Sequence, residues 1–344
     1  MNELARQGYA PLAFVGAGAL GQTFAAFLAR SGQAVTLLAT PGTAALLLAA
    51  GHIRLRDAVT ADIPVAPAPA PPGHVGITTE AARLPAGAGL IFLTKGHQLS
   101  AAVATVRDAW PLPGDDAAWV AGFQNGVATD GLLAGAFGGE RVVGGATILS
   151  GERRADGEIR VTGLGATYLG ELASGASQRV AAALDALHQA GIPAEVPADI
   201  RSVIWSKACN AAGVFGVSAL TRTIAPHIFA EPNFLRAYLA LVRETAAIGA
   251  AQGVAVGDYA NFPPIGSYVA LPEAETLAAL PPGPLPRVGN LPSMTQDLLA
   301  GRPIEVEAVF GDLVARAAQG GVAVPHLTLV LHLLRGLDRL AREG

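Results

Sequence analysis

Lysine is almost missing from this chain of 344 residues. It occurs only at Lys95 and Lys207, and the rest of the 23 basic residues are arginines. An arginine side chain stays protonated in proteins, whereas a partly buried lysine can give up its proton near neutral pH. The two lysines are therefore candidates for proton chemistry. The alternative is that two surface lysines remain by chance.

Other scarcities exclude whole classes of protein. The single cysteine rules out an internal disulfide framework, and no Cys/His spacing indicates a metal site. A net charge of −4 without basic clusters argues against nucleic-acid binding. No apolar run is long enough to cross a bilayer, and the first ten residues do not resemble a signal peptide. We expect a soluble, cytoplasmic protein that handles small molecules, with no membrane partner.

The first part of the chain alternates short apolar runs with helical patterns. Predicted strands are Leu12–Val15, Ala34–Ala39, Leu90–Leu93, Trp119–Phe123 and Arg141–Leu149. Predicted helices are Ala19–Arg30, Leu99–Ala109 and Gln178–Ala190. This alternation predicts an α/β fold, a Rossmann-type doubly wound parallel sheet with helices on both faces.

Two proline-rich stretches interrupt the pattern. Ile63–Gly73 contains five prolines, so we expect an exposed connection and neither a helix nor a central strand. Pro281–Pro286 is predicted to be a second break.

The second part of the chain has helical apolar spacing. The predicted helices are Ile200–Leu220, Asn233–Gln252, Glu305–Gln319 and Leu327–Arg342. We therefore expect a nucleotide-binding domain over residues 1–198 and an all-helical domain over residues 199–344.

A glycine-rich loop connects the first strand to the first helix. Its residues are Gly16, Ala17, Gly18, Ala19, Leu20 and Gly21. In this pattern the first glycine permits a tight turn, the second admits a pyrophosphate, and the third allows close packing of helix on strand. The context predicts dinucleotide binding. The alternative is a structural glycine-rich turn.

The end of the second predicted strand bears on the choice of cofactor. An acidic residue there would bind the ribose hydroxyls of NAD, and none is present. No arginine follows directly to hold a 2′-phosphate, although Thr40 and Thr43 are candidates. The absence of a carboxylate favours NADP modestly and leaves NAD possible.

Polar residues stand at the ends of further elements. Lys95 ends a predicted strand, and Gln124-Asn125-Gly126 follows the next one, so both belong to the sheet edge where such folds bind ligands. Lys207 lies on the first helix of the second domain. Ser293 and Glu305, twelve residues apart, complete the polar set.

With these motifs the chain resembles the ketopantoate reductase family over nearly its full length. The matching features are the loop Gly16 to Gly21, Lys95, Gln124-Asn125-Gly126, Trp205-Ser206-Lys207, Asn290 to Asp297, Gly301-Arg302 and Glu305. The resemblance implies a Rossmann domain, a helical second domain and hydride transfer from a nicotinamide to a 2-oxo acid.

The resemblance also implies a role for each residue. Lys207 would be the general acid, and Glu305 would orient it or the nicotinamide ribose. Asn125 would contact cofactor and substrate, and Lys95 would lie by the nicotinamide. Ser293, with Asn290, would bind the substrate carboxylate.

Simpler roles remain open for three of these residues. Lys95 could neutralise the pyrophosphate, Glu305 could pair with Arg302, and Ser293 could cap a helix.

The chain departs from the family downstream of Lys207. Where the family has asparagines that hold the substrate, this sequence has Ala211, Phe215 and Ala225. Asn210 lies one residue early, about 100° around the helix from that face. Ketopantoate is therefore a doubtful substrate, and a less polar 2-oxo acid is expected.

The sequence thus predicts an NADPH-dependent reductase of a 2-oxo acid, acting as a homodimer. One alternative is an NAD-dependent D-2-hydroxy-acid dehydrogenase on the same scaffold. Others are a non-catalytic nucleotide sensor and an imine-handling enzyme of similar build.

Overall fold

The computed structural model describes residues 11–111, 118–173, 176–260, 262–280, 285, 287 and 289–343. The proline-rich stretch Pro281–Pro286 lies outside the described residues except for Leu285.

The chain forms two compact units. The first consists of Met1–Gln124 and Thr129–Ile200, and the second of Asn125–Ala128 and Arg201–Gly344. The short segment Asn125–Ala128 therefore belongs with the helical half, although it lies inside the stretch 1–198 that the sequence assigns to the nucleotide-binding domain.

The first unit contains all the described strands and the helices that cover them. The strands are β1 Leu12–Val15, β2 Val35–Leu38, β3 His52–Asp57, β4 Ala61–Pro67, β5 Val75–Thr78, β6 Gly89–Phe92, β7 Trp119–Gly122, β8 Val143–Thr147, β9 Ser150–Arg153, β10 Ile159–Gly163, β11 Thr167–Glu171 and β12 Ala194–Glu195. The helices are α1 Ala19–Arg30, α2 Pro41–Ala50, α3 Gly96–Ala109, α4 Thr129–Phe137 and α5 Gln178–Gln189.

Nine of these strands form one sheet in the order β7-β6-β1-β2-β5-β4-β3-β10-β9. The strands from β7 to β4 run parallel, whereas β3 and β9 pair antiparallel with their neighbours β4 and β10. A smaller sheet has the order β12-β11-β8. The sheet is thus mixed, and its parallel half carries the edge at which the sequence predicts ligand binding.

The parallel strands are short and apolar because both of their faces are covered. In β1, Leu12 and Phe14 belong to the core that contains α1 and α5, and Ala13 and Val15 belong to the core that contains α3 and α4. All four residues are buried. A strand buried on both faces has a continuous apolar sequence. The predicted doubly wound α/β class is therefore confirmed.

The expectation that Ile63–Gly73 excludes a central strand is wrong, because β4 lies inside the large sheet. Its first half pairs antiparallel with β3, ending at Pro64, and its second half pairs parallel with β5 from Val65 to Pro67. Each half thus has a ladder partner on one side and behaves locally as an edge. A proline tolerates such a position, since its missing N–H faces no partner there.

The second unit is helical, as predicted. Its helices are α6 Ile200–Thr221, α7 Ala225–Ile228, α8 Pro232–Ala251, α9 Ile265–Ala270, α10 Glu273–Ala278, α11 Ser293–Leu299, α12 Asp312–Gly320 and α13 Pro325–Glu343. The stretch that the sequence predicts as one helix from Glu305 begins differently. A π-helical turn, Glu307–Gly311, precedes α12. Such turns insert an extra residue into a helix and are frequent at functional sites.

Helix α6 packs in the core of this second unit. Trp205, Cys209 and Phe215 lie in the same core as Tyr238 of α8 and Phe310 of the π-helical turn. Among the described helices, α6 alone is long and apolar enough to cross a membrane, and 78% of the apolar window is buried inside the protein. A long helix in a protein core needs an apolar composition to pack there, and that composition also meets the criterion for a membrane span. The buried position of α6 therefore accounts for its apolar sequence.

Candidate active site

The carboxyl ends of the parallel strands bring three predicted segments together in the first unit. Strand β1 lies between β2 and β6, so the connections leave it in opposite directions along the sheet. The crevice at such a reversal is where open α/β sheets bind ligands. The glycine loop after β1, Thr40 after β2 and Lys95 after β6 all lie at this edge.

Each glycine of the loop meets a different steric demand. Gly16 has φ of +111°, and a Cβ there would lie 2.9 Å from the backbone nitrogen of Thr94. A Cβ on Gly21 would lie 1.9 Å from the carbonyl oxygen of Gly16. A Cβ on Gly18 would have no heavy atom within 4 Å. The first and third glycines are thus required by packing, and the second faces open space.

The start of α1 can accept an anion. Gly18 is the N-cap residue, no side chain caps the helix, and its first turn has no acidic residue. The first N–H groups of a helix lack partners within it and favour negative charge. The Gln22 side chain on α1 fixes the loop, because its Nε2 donates a hydrogen bond to the Ala17 carbonyl at 2.9 Å. Open space at Gly18 and these donors fit the pyrophosphate of a dinucleotide.

A buried polar atom lies beside the same loop. The Thr94 hydroxyl oxygen is buried and has no hydrogen-bond partner among the described residues. The methyl group of Thr94 adjoins Gly16, 2.9 Å from where a Cβ on that glycine would lie. Buried polar groups are nearly always hydrogen-bonded in native proteins. This orphan atom at the base of the loop is consistent with a site completed by a bound group.

The end of β2 places Thr40 at the start of α2. Thr40 is exposed and acts as N-cap, its hydroxyl accepting the Thr43 N–H at 3.4 Å. A Cβ on Gly42 would meet nothing within 4 Å. The hydroxyls and the helix start present hydrogen-bond donors without a fixed charge.

The strand end before Lys95 is held by a residue to which the sequence gives no separate role. Lys95 is half-buried at the N-cap of α3, and its carbonyl accepts the Gln98 N–H at 2.9 Å. The Nε2 of Gln124, at the end of β7, donates to the carbonyls of Phe92 and Thr94 at 3.0 and 3.1 Å. Gln124 thus fixes the strand end that carries Lys95. The sequence did contain a signal for this role, because the side-chain amide of Gln124 directly follows β7 and the neighbouring parallel strand β6 ends at the same edge of the sheet.

Lys207 lies in the second unit on α6, at a turn anchored by its neighbours. Trp205 and Ser206 are buried, and a Cβ on Gly249 of α8 would lie 3.0 Å from the indole ring. The Ser206 hydroxyl accepts the Gly257 N–H at 3.0 Å and donates to the Gly257 carbonyl at 3.2 Å. These contacts fix the helix directly before the lysine.

Burial changes the acidity of this lysine. Lys207 exposes only part of its surface, and loss of hydration lowers its pKa from 10.5 to about 8, while the nearby Glu305 carboxylate acts in the opposite direction. Glu305 itself is 5% exposed. A lysine with such a pKa is mainly protonated at neutral pH and can still release its proton.

The segment before Glu305 is tied to two helices. The Arg302 guanidinium pairs with Asp297 of α11 at 2.9 Å. The Ile304 N–H donates to Asp338 of α13 at 3.0 Å.

Asn125 belongs to the same unit as Lys207 and Glu305. Its neighbour Gly126 has φ of +93°, and a Cβ there would lie 2.3 Å from the Ala308 carbonyl oxygen in the π-helical turn. Glycine is therefore required for this close approach. The contact seats Asn125 next to the turn that follows Glu305.

Ser293 and Asn290 lie in the second unit as well. Helix α11 begins at Ser293, with Pro292 in the N-cap position, so the alternative in which Ser293 caps this helix is wrong. Asn290 is exposed, and its carbonyl accepts the Ala225 N–H at 3.2 Å. Among the described residues, no cluster of His, Cys, Asp and Glu side chains is suited to hold a metal ion.

Family models match both halves of the chain. The model described as ketopantoate reductase PanE/ApbA matches residues 12–174, and its C-terminal counterpart matches residues 199–338. The chain belongs to the ketopantoate reductase family. Because the curated relatives are 2-dehydropantoate 2-reductases, it is an oxidoreductase acting on CH–OH groups.

Individual relatives are distant but extensive. A 2-dehydropantoate 2-reductase from Archaeoglobus fulgidus is 27% identical over 65% of this chain and 69% of its own length. The solved 2-dehydropantoate 2-reductase from Methylococcus capsulatus has a TM-score of 0.75 at 24% identity, covering 97% of this chain and 98% of its own. A D-mandelate dehydrogenase solved with NADH has a TM-score of 0.73 at 19% identity, covering 96% and 99%. The two solved structures show the shared fold.

Two of the three residues that are expected to depart from the family pattern are buried. Ala211 and Phe215 lie in the core of the second unit at 5% and 9% exposure. Asn210 accepts a hydrogen bond at 3.0 Å from the hydroxyl of the buried Tyr238 on α8. The one asparagine near the family positions is thus engaged with another helix.

Two single substitutions in the glycine loop should separate binding from folding. Gly21→Ala forces a methyl group onto a carbonyl oxygen and should cost about 1–3 kcal/mol of unfolding free energy. Gly18→Ala should leave stability unchanged but weaken dinucleotide binding about 10–200-fold, because the methyl occupies the approach space. Urea unfolding and NADPH fluorescence titration measure the two effects. Equal binding by Gly18→Ala and the parent protein would contradict this assignment.

Proposed function

We propose that this protein is an NADPH-dependent reductase of a 2-oxo acid, with Lys207 as the general acid. The observation that carries the proposal is the partly buried Lys207, with its pKa lowered to about 8, beside the buried Glu305. The runner-up is an NAD-dependent D-2-hydroxy-acid dehydrogenase on the same scaffold.

The proton chemistry follows from the environment of Lys207. A ketone that accepts hydride becomes an alkoxide and needs a proton donor within hydrogen-bond reach. Lys207 can provide the proton because its pKa lies close to neutral pH, whereas an arginine would keep its proton. The Glu305 carboxylate favours the ammonium form, so the lysine is charged when the substrate binds. A nicotinamide, when bound, would supply the hydride.

The residues proposed to hold the cofactor begin with the glycine loop. Gly16, Ala17, Gly18, Ala19, Leu20 and Gly21 would bind the pyrophosphate through backbone N–H groups, and Thr40 would face the adenosine ribose. Lys95, Asn125 and Glu305 would lie toward the nicotinamide. The lack of a carboxylate after β2 removes a repulsion against a 2′-phosphate and supports NADPH.

The substrate would be a less polar 2-oxo acid than ketopantoate. Ser293, Asn290 and Asn125 would bind its carboxylate and carbonyl group together with Lys207. The resemblance implies that Ala211 and Phe215 stand where family members have asparagines that hold a hydroxylated substrate. A site without those amides loses the hydrogen bonds that select a hydroxyl.

Two features of the sequence favour the dehydrogenase alternative. No arginine follows β2 to bind a 2′-phosphate, and apolar residues follow Lys207. The D-mandelate dehydrogenase that shares this fold was solved with NADH. Tight NADH and poor NADPH binding would favour this alternative, and binding without any turnover would indicate a nucleotide sensor.

The homodimer and the cytoplasmic location stay predictions. Analytical ultracentrifugation measures the oligomeric state.

Substitution of Lys207 should abolish proton transfer. Lys207→Met and Lys207→Arg should both lower kcat about 10²–10⁴-fold, since neither side chain can donate a proton. In the parent enzyme, the reduction rate should fall as pH rises through about 8, and the oxidation rate should rise over the same interval. Nicotinamide absorbance measures both directions. Full activity of Lys207→Arg would exclude the lysine as acid.

Selectivity should depend on Phe215 and Ala211. The parent enzyme should reduce branched or aromatic 2-oxo acids faster than ketopantoate. The double variant Ala211→Asn and Phe215→Asn should shift the ratio of kcat/KM values toward ketopantoate about 10–200-fold. Phe215→Leu, which stays apolar, is the matched control and should keep the original order. A parent enzyme that prefers ketopantoate would refute this substrate class.

A further inference from the structure

A buried carboxylate on the last helix holds the segment that carries Glu305. Asp338 of α13 is 9% exposed, and its Oδ1 accepts the Ile304 N–H at 3.0 Å. Its other oxygen, Oδ2, pairs with the Arg342 guanidinium one turn later, and the Arg342 Nε donates to the Asp338 carbonyl at 3.1 Å. Both carboxylate oxygens are thus occupied in a fixed geometry.

The position of Asp338 in its helix makes this contact unexpected. Leu327, Leu331 and Leu334 form the buried face of α13, and Asp338 follows Leu334 by one turn. An apolar residue would be the ordinary choice there. A charged side chain is seldom buried unless it is paired. The distance in sequence, 34 residues from Ile304, shows that the bond connects separate elements.

The contact lies one residue before Glu305. Ile304 and Val306, on either side of Glu305, are 5% and 3% exposed and pack in the core of the second unit. The Glu305 carbonyl then accepts the Val309 N–H at 3.1 Å. The backbone is therefore fixed immediately before and after Glu305, and the fixed point before it is Asp338.

We propose that Asp338 is a positioning residue that holds the Ile304 peptide so that the Glu305 carboxylate stays beside Lys207. The catalytic importance of this positioning rests on the proposed function. The positioning itself concerns only the side chains of Asp338, Glu305 and Lys207. Without the carboxylate, the Ile304 N–H would be buried and unpaired, and the segment would shift to satisfy it. Glu305 would move with that segment.

The scarcity of lysine makes the effect directly measurable. Protein labelled only at lysine with ¹³C and ¹⁵N gives side-chain signals from Lys95 and Lys207 alone, and Lys95→Arg leaves one. The Lys207 titration can then be followed without turnover. Because the Glu305 carboxylate raises the lysine pKa, Glu305→Gln should lower it below the parent value of about 8.

The decisive comparison uses three variants of buried carboxylates. Asp338→Ala should lower the Lys207 pKa in the same direction as Glu305→Gln. Asp338→Asn keeps an acceptor oxygen for the Ile304 N–H and should restore most of the parent value. Glu244→Ala is the matched control, because the Glu244 carboxylate accepts the His326 and Leu327 N–H groups at 3.0 and 2.8 Å at the start of the same helix. It should reduce stability without changing the Lys207 pKa.

A second variant covers the case in which Asp338→Ala does not fold. Arg342→Met removes the guanidinium that orients Asp338 but keeps the carboxylate, and the Arg342 side chain is half exposed. It should lower the Lys207 pKa by a smaller amount. In turnover with a 2-oxo acid, Asp338→Ala should reduce kcat about 10–100-fold, in line with small misplacements of catalytic groups.

Two results would overturn the proposal. One is a Lys207 pKa in Asp338→Ala, or in Arg342→Met if the former is unfolded, equal to that in Glu244→Ala. The other is an unchanged pKa in Glu305→Gln, since Asp338 would then have no partner to act through. If the parent protein reduces no 2-oxo acid but the titrations respond as expected, the proposed function fails and the positioning role stands.

Discussion

The site depends on keeping a lysine partly dehydrated beside a buried carboxylate. Loss of water lowers the pKa of Lys207, and the Glu305 charge limits that fall, so the ammonium group persists near neutral pH without being locked. Neither effect alone gives this result. A dehydrated lysine without a partner would lose its proton, and a hydrated one would hold it too firmly.

Several contacts in the second unit fix the backbone near Lys207 and Glu305. Trp205 and Ser206 anchor α6 directly before Lys207, while Asp338 and the π-helical turn fix the backbone around Glu305. The first unit does the same for its own strand ends, where Gln124 bonds the carbonyls before Lys95. Charged groups at the candidate site thus rest on buried, hydrogen-bonded backbone, which limits their movement.

Sequence patterns gave the local elements and missed the long-range ones. The glycine loop, β1, α1 and α6 are visible because a continuous apolar run or a helical period is encoded by adjacent residues. Strand β4 was missed because its prolines are tolerated only where its ladder partner changes. Asp338 reads as an ordinary surface charge in an amphipathic helix, since its partner lies 34 residues away. The roles of Lys95, Lys207 and Glu305 in catalysis stay predictions.

The membership of Asn125–Ala128 in the second unit constrains how this chain can be divided. The polypeptide passes between the units after Gln124, after Ala128 and after Ile200, three times instead of once. A fragment cut near residue 198 would separate Gly126 from the Ala308 carbonyl against which it packs. Chimaeras between relatives would therefore keep both partners of this contact only if residues 125–128 were exchanged together with the helical half.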